Sequence, residues 1–147
     1  MIFAEEAFAL IKETNGEEMI NKAKELAKEY NIFMVLPIEV EIKKDKSKNE
    51  AILISNKGEV LYEYQKQNLI PLIEKDYYED MGKPKVIETD LGKLTIVICY
   101  DINFPYYINS LSRKHFDILL IPSWDWEGIA EFHSNYAKYR AIEGGFN

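Results

Sequence analysis

Cys99 is the only cysteine in this 147-residue chain. It closes the apolar run Thr-Ile-Val-Ile-Cys and is followed at once by Tyr100, Asp101, Ile102, Asn103, Phe104 and Pro105. A strand-to-helix turn exposes a side chain at the sheet edge and aims backbone N–H groups at whatever it attacks. A thiol there is a covalent nucleophile. The competing reading is that free cysteine is among the most buried residue types and serves as a small hydrophobe. A nucleophile needs a base. The two histidines, His115 and His133, have no local spacing to Cys99, so only tertiary structure would pair either with it. One cysteine and two isolated histidines also lack metal-ligand spacing, so no metal is expected. Two other side chains stand at apparent strand ends: Glu5 after Met-Ile-Phe-Ala and Lys66 after Glu-Val-Leu-Tyr-Glu-Tyr-Gln. In an open α/β sheet such ends gather along one edge. The alternative for Lys66 is a solvated strand end.

The elements that must position these residues are legible in the pattern. Residues 1–4 read as a strand. Met19, Ile20, Ala23, Leu26, Ala27 and Tyr30 have helical spacing, with Lys and Glu on the other face. Thr14 and Glu17 have capping-box spacing, and Asn31 is a stop. "IFMVLPIEVEI" reads as a strand, and "KKDKSK" (43–48) as a solvated turn. "EAILIS" and "EVLYEYQ" flank "NKG" as a hairpin. "KVIETDLGKLTIVIC" is a second hairpin around Asp90-Leu91-Gly92. A short helix is expected over 105–114, a buried strand over 116–123, and a last helix from about Ala130 to Glu143, ended by Gly144-Gly145. The order strand, helix, four strands, helix, strand, helix predicts a layered α/β domain, with helices on one face of a mixed sheet.

The totals exclude several classes. The formal net charge is -7, which does not suit a general nucleic-acid surface. No apolar run approaches the ~20 residues a membrane helix needs. A single cysteine makes no internal disulfide, and the start "MIFAEEAF" lacks the basic flank and length of a signal peptide. The expected compartment is the cytoplasm. The length suits one domain.

Four motifs in order, "IFAEEA", "YQKQNLIP", "ICYDINFP" and "RAIEGG", resemble the nitrilase, or carbon–nitrogen hydrolase, superfamily, over nearly the whole chain. "PSWDWEGI" and the segment after it look closest to the branch containing apolipoprotein N-acyltransferase. The resemblance implies an αββα sandwich, often paired into homodimers, with no metal and no organic cofactor. It implies a glutamate–lysine–cysteine set. "IFAE" places the general base at Glu5, with Ala4 where the family usually has proline and Glu6 as an adjacent rival. "YQKQNLIP" gives Lys66, and "ICYDINFP" gives Cys99. A second glutamate after the lysine motif falls on Glu74, with Glu79 fitting the spacing less well; the alternative for Glu74 is a surface acid. By this resemblance the backbone N–H of Tyr100 and the ammonium of Lys66 stabilise an oxyanion. Trp124, Asp125 and Trp126 line the substrate pocket or else pack a long loop. Arg140 and Glu143 brace the last helix by pairing.

The expected activity is amidase-type hydrolysis of a small amide through a cysteine thioester. The rivals are acyl transfer by the same thioester, an inactive dimerising fragment, and a cysteine–histidine hydrolase. Family domains begin with a strand and helix ahead of "IFAEEA" and continue past "AIEGGFN", so residues 1–147 are expected to be a single, incomplete domain.

Overall fold

The helical periodicity after residue 14 becomes helix α1 (Asn15–Glu29), with Glu17 and Glu18 in its first turn and Lys28 in its last, the charge order that suits the helix dipole. Asn31 adopts φ 52° and ends it, as a residue tolerant of the left-handed region does. The computed structural model describes residues 2–3, 10–11, 15–44, 46–75 and 83–147. Thr14, the expected cap, lies outside them.

Strands β1 (Ile2–Phe3) and β2 (Leu10–Ile11) both pair in parallel with β3 (Met34–Lys43). β3 then runs antiparallel to β4 (Lys46–Ile54), and β4 to β5 (Val60–Gln65). This five-stranded sheet is mixed. A second sheet holds β6 (Ile87–Thr89) and β7 (Gly92–Ile96) antiparallel, with β8 (Ile118–Leu120) parallel to β7. A 3-10 helix (Cys99–Asn103) and α2 (Pro105–Ser112) follow β7, and α3 (Glu127–Gly144) follows β8.

Alternation along the strands builds the layers. On β4, Ala51 and Leu53 join Val35, Tyr62 and Tyr64 against Leu94, Ile96, Ile98 and Leu120 of the second sheet. Ile52 and Ile54 point the other way and pack with Ile38 on Ala23 and Ala27 of α1. On the far side of the second sheet, Val97 and Leu119 meet Ile102, Ile108, Leu111, Phe116 and Phe146. The sequence of layers is helix, sheet, sheet, helix, so each mixed sheet carries helices on one face, as expected. Leu94, Ile96 and Ile98 are each fully enclosed, and burying such a side chain is worth about 1.5–3 kcal/mol. No helix among the described residues is long and apolar enough to cross a membrane.

Several boundaries differ from expectation. Five strands separate α1 from α2, the single strand and the two of each hairpin, where the expected order counted four. "KKDKSK" is mostly strand: Lys43 closes β3, Lys46–Lys48 open β4, and Lys43 pairs with Lys46. Backbone pairing continues beyond the core, from Glu41↔Ser47 to Lys43↔Lys46. α3 begins at Glu127, a turn earlier than expected, because the Trp126 carbonyl accepts the Ile129 and Ala130 N–H groups. It ends at Gly145 with φ 68°. The strand expected over 116–123 is confined to Ile118–Leu120, and β7 stops at Ile96 rather than running to Cys99.

Candidate active site

Cys99 is the first residue of the 3-10 helix, not the last of a strand, and its φ is 44°. An L-residue in the left-handed region costs roughly 1–2 kcal/mol, so the surroundings must hold it there. Two contacts do so. The Cys99 N–H donates to the Pro122 carbonyl at 2.9 Å, which keeps the chain beside the segment leaving β8. Asp101 reaches back to accept the Ile98 N–H at 3.0 Å, as an acid in the first turn of a helix commonly does. The thiol is 6% exposed.

Asp101 is the centre of a buried network. Its Oδ1 accepts from the Asn68 N–H at 2.7 Å and the Asn68 side-chain amide at 2.8 Å. Its Oδ2 accepts the Tyr64 hydroxyl at 2.7 Å, and the Tyr64 hydroxyl also shares a hydrogen bond of 2.7 Å with the Tyr107 hydroxyl. Burial pushes the Asp101 carboxyl above its ordinary value, while the donated hydrogen bonds pull the other way. The Tyr64 and Tyr107 hydroxyls are also pushed up, by burial first and by the Asp101 charge second. Tyr64 and Asn68 bracket Lys66. One carboxylate therefore staples the lysine segment to the cysteine turn.

Lys66 follows β5 directly and donates its N–H to Asn49 at 2.8 Å, still in sheet register. It is 1% exposed, so it is no solvated strand end. Its ammonium meets Glu74 Oε1 at 2.7 Å, and Glu74 Oε2 accepts the Ile70 N–H at 2.7 Å. Glu74 is buried too, not a surface acid. The structure thus joins Lys66 to Glu74, as the motif match implies. Glu5, with Ala4 and Glu6, lies outside the described residues, as does Glu79. Tyr100 is half-buried and stacks edge-to-face on Phe104 at 5.3 Å.

The loop after β8 splits its three candidates. Trp124 and Trp126 are 60% and 62% exposed. Asp125 is turned inward, and its carboxylate oxygens lie 2.8 and 2.9 Å from His133 Nδ1. Ser123 Oγ donates to Asp125 at 3.1 Å. His133 is buried on α3, and its Nε2 has no hydrogen-bond partner among the described residues. Cys99, Asp125 and His133 each bring one ligand-competent atom within 4.8 Å of the others. The tertiary fold therefore brings His133 close to Cys99, which no local spacing predicted. The same helix braces the turn from below: Arg140 donates to the Ile102 carbonyl at 3.3 Å and pairs with Glu143.

The four-layer αββα sandwich joins the buried Cys99 turn, through Asp101, to the segment that carries the buried Lys66–Glu74 pair. The carbon-nitrogen hydrolase family profile matches residues 3–146, and the chain belongs to that family. It is 30% identical over 139 residues to deaminated glutathione amidase of Dictyostelium discoideum, covering 85% of this chain and 48% of that protein. It is 28% identical over 118 residues to 2-oxoglutaramate amidase of Bacillus subtilis (strain 168), covering 79% and 45%. The fold matches an amidase from Nesterenkonia sp. AN1 with a TM-score of 0.81 at 21% identity, covering 94% of this chain and 55% of that one. The chain thus spans about half the length of the relatives it matches. These relatives are amidases, and they correct the expected placement nearest the apolipoprotein N-acyltransferase branch.

Proposed function

We propose that this chain carries the thiol site of an amidase, a hydrolase that cleaves the C–N bond of a small non-peptide amide through a thioester on Cys99. The observation that carries this reading is the buried Lys66–Glu74 pair, stapled through Asp101 to the strained Cys99 turn. The amidase names of the relatives support it. So does the Nesterenkonia amidase, whose active-site cysteine takes acrylamide by Michael addition.

In this mechanism Glu5 takes the thiol proton and the thiolate attacks the amide carbonyl. The Lys66 ammonium and the Tyr100 N–H face the developing oxyanion; removing one such donor typically costs about 2.7–4 kcal/mol. The C–N bond breaks as Glu5 returns its proton to the departing amine. Water, deprotonated by Glu5, then attacks the thioester and frees the acid and the thiol. Glu74 keeps Lys66 charged and oriented. Trp124 and Trp126 bound the substrate, while Asp125 is engaged by His133. No cofactor enters. Residues 1–147 form one domain, part of a longer hydrolase unit that works as a homodimer.

One observation favours a second reading. His133, oriented by Asp125, stands within 4.8 Å of Cys99, the arrangement of a cysteine–histidine hydrolase. A single experiment separates the two. The rate of Cys99 alkylation by iodoacetamide is measured in buffer and in urea, with Lys66→Ala and His133→Ala alongside. The lysine reading expects Cys99 to react faster in buffer than in urea, with Lys66→Ala abolishing the excess. Equal rates in buffer and urea defeat it, and an excess lost only with His133→Ala transfers the role to histidine.

A further inference from the structure

Asp125 and His133 have no part in the amidase steps above, yet each brings a polar atom within 4.8 Å of the one thiol, His133 from a buried position and Asp125 from a partly buried one. His133 Nδ1 faces both oxygens of Asp125 at 2.8 and 2.9 Å. The other ring nitrogen is Nε2. That atom is fully buried and has no hydrogen-bond partner among the described residues, an uncommon condition for a polar atom in a protein interior. The residue itself is 7% exposed.

The same three side chains form a donor set. A thiol sulfur, an imidazole nitrogen and a carboxylate oxygen lie within 4.8 Å of one another, and they come from three separate elements: the 3-10 helix, the loop after β8, and α3. Hydrogen bonds hold them in register. Cys99 N–H is tied to Pro122, three residues before Asp125, and Ser123 Oγ is bonded to Asp125. Arg140, two turns beyond His133, is tied to Ile102 on the turn of Cys99. A preorganised cluster of this kind lowers the ordering cost of binding an ion.

We infer that Cys99, Asp125 and His133 form a binding site for a thiophilic divalent cation of the zinc type, which caps the thiol and reversibly blocks its chemistry. Thiolate and imidazole donors select Zn2+ or Cd2+ over Mg2+ and Ca2+, which take oxygen ligands. Three protein ligands leave a fourth position for water. Binding forms the metal–sulfur bond and releases the thiol proton to solvent, with no change of oxidation state. The site does not depend on the amidase reading, because it concerns the resting thiol whatever that thiol acts upon.

The test uses the full chain and Zn2+ alone, by calorimetry, with competition by a chromophoric chelator. The expected result is one Zn2+ per chain, lost in Cys99→Ala. Asp125→Asn and His133→Ala weaken binding by at least the 10- to 100-fold range known for groups that orient or ligate metals. Bound Zn2+ protects Cys99 from iodoacetamide, a chelator restores the reaction, and Mg2+ does neither. Because His133→Ala opens a buried site, Co2+ is also added to the unaltered protein, where intense d–d bands and a thiolate charge-transfer band report a low-coordinate sulfur-ligated ion. Zn2+ affinity within about threefold of the unaltered protein in a folded His133→Ala, equal protection by Mg2+, or the weak spectrum of hexaaqua Co2+ would each overturn the inference.

Discussion

Replacing Lys66 by methionine keeps an unbranched side chain one atom shorter and removes its charge. Glu74 is then left with one donor, the Ile70 N–H, and no counter-ion, in a position where its side chain is only 10% exposed. Breaking a buried ion pair from one side typically costs about 3–5 kcal/mol, because the remaining charge is uncompensated. In a domain of this size each kcal/mol lowers the melting temperature by about 2–4 °C, so Lys66→Met should melt about 6–20 °C lower. Adding Glu74→Gln removes the stranded charge while its amide oxygen keeps an acceptor for Ile70. The double variant should recover most of the loss, since exchanging both partners of a buried pair is often close to neutral. Thiol reactivity should behave differently. Both variants lack the ammonium, so Cys99 alkylation should remain slow in the double variant even after its stability returns. Thermal melts by circular dichroism, paired with iodoacetamide kinetics on the same samples, read both quantities. A single variant melting within about 2 °C of the parent would show that the pair is solvated. A double variant that recovered reactivity together with stability would show that Lys66 acts on the thiol only by holding the fold.

Asp101→Asn is expected to turn its amide oxygen to the two Asn68 donors and its NH2 to Tyr64, leaving the Ile98 N–H without an acceptor. Such a stranded buried donor costs about 1–3 kcal/mol, and both the melting temperature and the alkylation rate of Cys99 should fall; an unchanged rate would refute the stapling role. Tyr62 donates to the Lys83 carbonyl and accepts the Lys85 N–H, and burial raises its pKa to about 12. A folded-state pKa above the ordinary phenol value gives a contribution fully present below about pH 10 and lost as the pH rises through about 12. Tyr62→Phe should remove that alkaline slope from the stability curve, and ultraviolet titration should show one fewer late-ionising phenol.

The parts of this protein that local chemistry dictates were readable without coordinates. Apolar spacing placed α1, the segments flanking Asn56-Lys57-Gly58 placed the β4–β5 hairpin, and Gly144-Gly145 marked the end of α3, because each follows from residues close together in the chain. The four motifs in order marked the family, and Lys66 and Glu74, eight residues apart, were joined as the match implied. The functional placements of Glu5 and of the Tyr100 N–H rest on motif matching alone. What spacing did not carry was the assembly around the thiol. Asp101 meets Asn68 across 33 residues and Tyr64 across 37. His133 reaches Cys99 only because α3 packs on the turn through Arg140 and Ile102. The left-handed φ of Cys99 had no signal at all, since cysteine has no preference for it and tertiary contacts, those of Pro122 and Asp101 among them, hold it. Sequence determined which segments become helix or strand and which family they compose. Tertiary structure decided which side chains meet, because contacts between distant residues depend on sheet register and layer packing, and these are properties of the whole chain rather than of any stretch within it.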